Sequence, residues 1–188
     1  MQNALSTTLE SPIPGSTETW TLDASHTQVG FAVKHLMISN VKGRFPDVTG
    51  TVTMEAGNRA NIGIEIQAAS ITTEDEKRDA HLRSADFLHA AEFPVLRFTG
   101  GRIEGKLDAK FSIHGTLEIR GVSRPVTLYV INQGGLVDPW GNARIGYLAT
   151  ATINRKEFGL EWNMALEAGG VLVGDDVRIT IETELVRQ

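Results

Sequence analysis

From Trp20 onward, apolar and polar residues alternate with a period of two along most of the chain. Val29, Phe31 and Val33 share one face, with Gly30 and Ala32 between them. Val48, Gly50, Val52 and Met54 alternate with Thr49, Thr51 and Thr53, and Ile62, Ile64, Ile66 and Ala68 follow. The rhythm returns in Phe111, Ile113, Gly115, Leu117 and Ile119, and then in Val126, Leu128 and Val130. Ile145, Tyr147, Ala149, Ala151 and Ile153 continue it, and Val177, Ile179, Ile181 and Thr183 end it. Successive side chains of a strand point to opposite sides, so an apolar face backed by a polar one predicts a half-buried antiparallel strand. Short glycine-containing breaks between several runs favour hairpins over helical crossovers. With Thr19–Leu22 and Leu96–Ile103 included, the pattern predicts about eight or nine strands.

One stretch breaks the alternation. Residues 74–92, EDEKRDAHLRSADFLHAAE, are rich in Ala, Leu, Glu and Arg and predict the one helix. Thr72 or Thr73 is placed to cap its start, with acidic residues in the first turn. Pro94 disfavours helical backbone at Phe93 and marks its end. An irregular turn is expected at His35–Gly43. Asn132–Asn142, with Gly134, Gly135, Pro139 and Gly141, reads as a long hairpin connection. Residues 1–18 have almost nothing to bury and are expected to be a disordered tail, which leaves residues 19–188 as one domain.

Composition agrees with the strand pattern. Val, Ile and Thr number 14, 14 and 18 of 188 residues, and β-branched side chains suit a pleated, half-buried surface. Many antiparallel strands with one helix leave two architectures, a sandwich and a closed up-and-down barrel. The small inward residues Gly50, Ala68, Gly115, Ala149 and Ala151 fit a tapered packed core and an open interior equally well.

Charge and chemistry narrow the function. Lys plus Arg is 18 against Asp plus Glu 23, a net charge of −5, which argues against a nucleic-acid binder. Cysteine is absent, so there is no disulfide framework, zinc-thiolate site or thiol nucleophile. His26, His35, His81, His89 and His114 are isolated, with no metal-ligand spacing. No G-x-G-x-x-G, Walker or G-x-S-x-G motif occurs, so neither cofactor nor catalytic serine is expected. Asp79 and Arg83, four residues apart, are expected to pair on the helix. No apolar run approaches the roughly 20 residues that span a bilayer, so no membrane insertion is expected.

Longer motifs carry a family likeness. W-x-L-D-x-S-H-x-x-V-x-F-x-V-K-H-L-M-I-S-x-V-x-G-R-F spans Trp20–Phe45, and R-D-A-H-L-R-S-A-D-F-L spans Arg78–Leu88. G-T-L-E-I-R-G-V-S-R-P-V spans Gly115–Val126, I-N-R-K-E-F-G-L-x-W spans Ile153–Trp162, and V-G-D-D-V follows at Val173–Val177. In this order they resemble the YceI-like family from Trp20 to the C-terminus. The resemblance implies an all-β fold, an extended lipocalin-like eight-stranded antiparallel barrel with the helix in one connection. It also implies an interior tunnel for a long apolar chain, namely a polyisoprenoid, an isoprenoid quinone or a fatty-acid-like amphiphile. It implies a binder that stores, carries or sequesters lipid rather than an enzyme. The partners expected are that lipid and, as an option, a second copy of the chain in a homodimer. Many members of the family are exported. The polar N-terminus here has no basic start and no apolar segment, so a cytoplasmic location is expected.

Alternation and placement then nominate ligand-contacting residues. Phe31, Val33, Val52, Met54, Ile64, Ile66, Phe98, Phe111, Leu117, Leu128 and Tyr147 are expected in the wall. His35, Met37, Arg44, Phe87 and Trp162 are expected at the mouth. The alternative is an enzyme on the same barrel that acts on an isoprenoid-like molecule, with His35 or His81 as acid–base.

Overall fold

The structure is a computed structural model that describes residues 18–55, 58–165 and 171–188. The expected tail lies outside the described residues, apart from Glu18. The strands in chain order are β1 (Thr19–Leu22), β2 (Gln28–His35), β3 (Ser39–Phe45), β4 (Val48–Glu55) and β5 (Arg59–Gln67). They continue as β6 (Val95–Gly105), β7 (Lys110–Ile119), β8 (Val122–Val137), β9 (Ala143–Asn154) and β10 (Val173–Arg187). Neighbours pair antiparallel from β4 round to β10, and β1 closes the ring by pairing with both β4 and β10.

The ten segments fill eight positions. β1 and β2 form one side of a long hairpin, interrupted by a 3-10 turn at Ala24–His26, and β3 and β4 form the other. Register sends the alternating residues inward as the sequence predicts: Gly50 sits opposite Ile64, Phe98 opposite Leu117, and Ala149 opposite both Val130 and Ile181. The outer face is mostly charged and polar, apart from exposed Tyr129, Ile131, Leu136 and Val137 on β8, and on it Arg97 reaches Glu65 at 3.0 Å and Glu118 at 3.6 Å. Apolar inside and charged outside is the reverse of a lipid-facing transmembrane barrel. Among the described residues no helix is long and apolar enough to cross a membrane.

Local chemistry moves three boundaries. The turn expected at His35–Gly43 shrinks to Leu36–Ile38, because Leu36 and Met37 take left-handed φ of 51° and 62° and return the chain into β3. The connection expected at Asn132–Asn142 shrinks to Asp138–Asn142, because β8 absorbs Gly134 at a register shift and continues to Val137. The helix, α1 (Glu76–Arg83), is less than half the expected length. Asp75, not Thr72 or Thr73, caps its start by accepting from the Arg78 amide at 3.0 Å. Its end comes at Ser84, whose backbone is extended and whose hydroxyl donates to the His81 carbonyl at 2.8 Å.

The expected Asp79–Arg83 pair does not form. Asp79 is buried and accepts from the Thr73 amide and hydroxyl, while Arg83 donates to the Ile71 carbonyl at 2.7 Å. Burial alone would raise the Asp79 carboxyl. The Thr73 and Thr72 hydrogen bonds and the nearby Arg83 charge outweigh it and hold the group below its usual range.

The barrel end opposite α1 is tied by one guanidinium. Arg144 donates to Asp138 at 2.9 Å, Asp23 at 2.6 Å and Glu184 at 3.1 Å, joining β9, the β8–β9 turn, the chain after β1, and β10. Asp23 is held low by the Ser25 hydroxyl and then by Arg144, and Asp138 by Arg144 and then by Asn142. A carboxyl depressed in the folded state contributes stability above its unfolded pKa of about 3.9 and loses it as pH falls through the native value. Arg144→Met should therefore lower the thermal midpoint at pH 7 and flatten its decline between about pH 5 and pH 2. A variant whose midpoint falls with acid as steeply as the parent's would contradict this role.

Candidate functional site: an apolar cavity along the barrel axis

A cavity of about 710 Å³ runs inside the barrel. Fourteen of the sixteen nominated residues line it. Phe31, Val33, Val52, Met54, Ile64 and Ile66 come from the first half of the ring, and Phe98, Phe111, Leu117, Leu128 and Tyr147 from the second. His35, Phe87 and Trp162 stand where the cavity meets the α1 end. Met37 and Arg44 do not line it. Met37 sits on the tip of the β2–β3 turn and is mostly exposed. Arg44 has the parity of Lys42, and the odd-numbered residues of β3 face inward, so its side chain lies on the outer wall.

The small inward residues play two roles. A side chain at Gly115 would meet the Phe98 ring at 2.4 Å, one at Gly43 the Phe31 ring at 2.3 Å, and one at Gly50 the Ile64 tip at 2.3 Å. These glycines give neighbouring large side chains room to lie against the wall; at Gly43 and Gly115 it is an aromatic ring that covers the strand glycine. Gly115 thus makes space for Phe98. Ala149, by contrast, borders the cavity itself.

The mouth has a polar rim that the strand pattern did not show. Asp75, Lys77, Arg78, His81 and Arg155 all reach the cavity lining. His81 packs edge-on to Trp162 with ring centres 4.7 Å apart and to Phe87 at 5.1 Å, and its Nε2 lies 2.8 Å from Asp86. Arg78 donates to the Thr73 hydroxyl at 2.7 Å and to its carbonyl at 3.0 Å. Arg155 opens a 3-10 turn at Arg155–Phe158 and is almost fully buried. Its guanidinium donates to the carbonyls of Gly174 at 2.9 Å, Trp162 at 3.0 Å and Leu160, which fixes Trp162 over the mouth. Trp162 was expected at the mouth; for Arg155 the only signal was its place in the motif Ile153–Trp162.

Deeper in, polar groups are few. The Thr183 hydroxyl is paired with Thr27 at 2.8 Å. Burial pushes the Tyr147 phenol up to about 12, so it stays neutral, and its ring meets Phe111 at right angles with centres 5.9 Å apart. An apolar tube with polar groups at one end can hold an extended hydrocarbon chain and expose its head.

Two other clusters lack the geometry for chemistry. Asp23, His26 and Glu184 converge closely enough to hold a cation, but the Arg144 guanidinium already sits on Asp23 and Glu184. Ser25 and Asp23 both approach the same His26 nitrogen, Nδ1, at 3.0 Å, so no relay from acid through imidazole to hydroxyl is set up.

The comparisons with known proteins agree with this geometry. Residues 20–185 match the YceI-like domain. A UPF0312 protein of Staphylococcus aureus is 34% identical over 168 residues, covering 88% of this chain and 95% of the relative. The crystal structure of the Campylobacter jejuni YCEI protein superposes with a TM-score of 0.66 at 28% identity, covering 82% of this chain and 90% of that one. A polyisoprenoid binding domain from Saccharophagus degradans superposes with a TM-score of 0.69 at 16% identity, covering 90% and 98%. The chain, with its closed eight-position barrel and apolar interior, belongs to the YceI-like domain family.

Proposed function

We propose that this protein holds one long apolar lipid chain in the barrel, of the polyisoprenoid or similar long-chain class, and acts as its carrier or store. The cavity carries the reading: about 710 Å³, walled by aliphatic and aromatic side chains, with its charged residues gathered at one end. The polyisoprenoid binding domain from Saccharophagus degradans, which shares the fold, supports the ligand class. Each buried CH₂ contributes about 0.8 kcal/mol, so roughly ten methylenes supply about 8 kcal/mol before the costs of association. Tail length is then selected by the tube, and the head group by the rim.

In this reading His81 is a wall residue of the mouth, held by Asp86 and two aromatic rings, and the ligand leaves chemically unchanged. A polarity-sensitive apolar dye should brighten on binding and be displaced by a prenyl alcohol of sufficient length, and His81→Asn should retain that displacement. A dye that never brightens, or one displaced equally well by short and long chains, would contradict a length-selecting tube.

A further inference from the structure

Two loops at the α1 end of the barrel carry apolar side chains out into water. Met37 and Ile38, on the β2–β3 turn, are 57% and 83% exposed, and Met164 on the neighbouring loop is 55% exposed. The loops are joined: the Leu36 amide donates to the Leu172 carbonyl at 2.9 Å and the Leu172 amide to the Met164 carbonyl at 3.0 Å. Leu36 and Met37 hold left-handed φ, a conformation that bulky L residues adopt only at a cost and that Gly or Asn would take more readily. Fold stability does not call for large apolar side chains there. The cavity lies directly beneath, since His35, Leu172 and Trp162 line it.

The outer wall beside these tips is basic. Lys34, Lys42 and Arg44 are exposed on the outward face of the β2–β3 hairpin. Arg178 of β10, level with Ala32 in the pairing, joins them and reaches Asn40 at 3.3 Å. Among the described residues, none of these four cations has a carboxylate within 4.0 Å; Arg59, Lys106, Lys110, Arg120 and Arg124 share that lack, but these four gather on one face. Of the acids on the adjacent stretch of β10, Asp175 is paired with Arg155 and Lys156, and Asp176 is exposed on the face of Arg178 but forms no ion pair with it, which leaves an excess of cations there. Glu74, Asp75 and Glu76 begin the α1 segment beyond the Arg44–Thr72 bridge, and Asp75 is turned to Arg78. In a chain of net charge −5, four uncompensated cations on one face stand against the overall balance.

We propose that this rim docks on an anionic bilayer surface. Met37, Ile38 and Met164 enter the headgroup boundary while Lys34, Lys42, Arg44 and Arg178 meet lipid phosphates. Shallow apolar insertion and attraction to anionic lipid reinforce one another, and neither alone gives firm attachment. The inference rests on reading the cavity as a lipid site, because docking here sets the mouth against the bilayer and lets a chain pass without crossing water.

The test is sedimentation of the protein with vesicles of phosphatidylcholine alone and of phosphatidylcholine with phosphatidylglycerol at 3:1. The parent should partition to the anionic vesicles and be released by salt. Met37→Glu with Ile38→Glu, and separately Lys34→Glu with Lys42→Glu, should each lower partitioning about tenfold or more. All four side chains are exposed, and an unchanged thermal midpoint would verify that the variants fold. Parent protein that ignores both vesicle types, or variants that bind as the parent does, would overturn the proposal. So would a self-association that the Met37→Glu, Ile38→Glu variant abolishes in a parent that ignores vesicles, since the tips would then serve a second copy. The lipid content of the cavity is read separately by mass, so a filled cavity without vesicle binding refutes docking alone.

Discussion

Arg155→Met is expected to cost about 3–5 kcal/mol of folding stability, because it leaves several buried carbonyls without a donor. Those carbonyls belong to Leu160, Trp162 and Gly174, the first two in the loop between β9 and β10 and the third in β10 itself. A methionine fills much of the same volume but donates nothing and carries no charge, so the loss reports the hydrogen bonds and the Asp175 ion pair rather than packing. At about 2–4 °C per kcal/mol for a domain of this size, the thermal midpoint should fall by about 10 °C. The effect should also be local. Trp162 is positioned through its carbonyl, so its fluorescence should shift toward that of a wetter indole. A variant within about 1 °C of the parent would show that the loop is held by other contacts.

The second large effect concerns the cavity. Ala149→Phe puts a ring into the tube between Val130 and Ile181, the partners of Ala149 on either side. Overpacking a filled core costs typically about 1–3 kcal/mol. In an open tube the ring finds space, so stability should change by less than about 1 kcal/mol while the longest bound chain shortens. Gly115→Ala is the contrasting case. It adds a single carbon, yet that carbon meets the Phe98 ring at 2.4 Å and the Thr99 carbonyl at 2.6 Å, so it should destabilise with little effect on chain length. If Ala149→Phe destabilises as Gly115→Ala does and the bound chain keeps its length, the tube does not pass Ala149.

The wall was legible in the sequence because a strand's period of two is also the period of inside and outside. Phe31, Val52, Ile64, Phe98, Phe111 and Leu128 could be placed by parity alone, and the cavity meets each of them. What parity cannot show is how a turn bends. The left-handed backbone of Leu36 and Met37 moved Met37 from the mouth to an exposed tip and extended β3 to include Arg44 on the outer wall. Nor could spacing foresee that Thr73 would take the Asp79 carboxylate, or that Ser84 would stop the helix at Arg83. The polar rim was hidden for the same reason. Asp75, Arg78 and Arg155 reach the mouth from a helix and a 3-10 turn, whose placement depends on long-range packing. Ambiguity between packed core and cavity was inherent in the small inward residues, and the structure divides them: Gly115 receives a ring, and Ala149 faces the cavity.

The central claim is that the barrel carries a long apolar chain, and native mass spectrometry of protein purified without detergent tests it most directly. The account predicts a folded species heavier than the 20.4 kDa chain by the mass of one lipid. That added mass should be lost on collisional activation and should be reduced or absent in Ala149→Phe. A preparation that runs only at the mass of the bare chain, and stays there after incubation with long-chain prenyl alcohols and fatty acids, would contradict it.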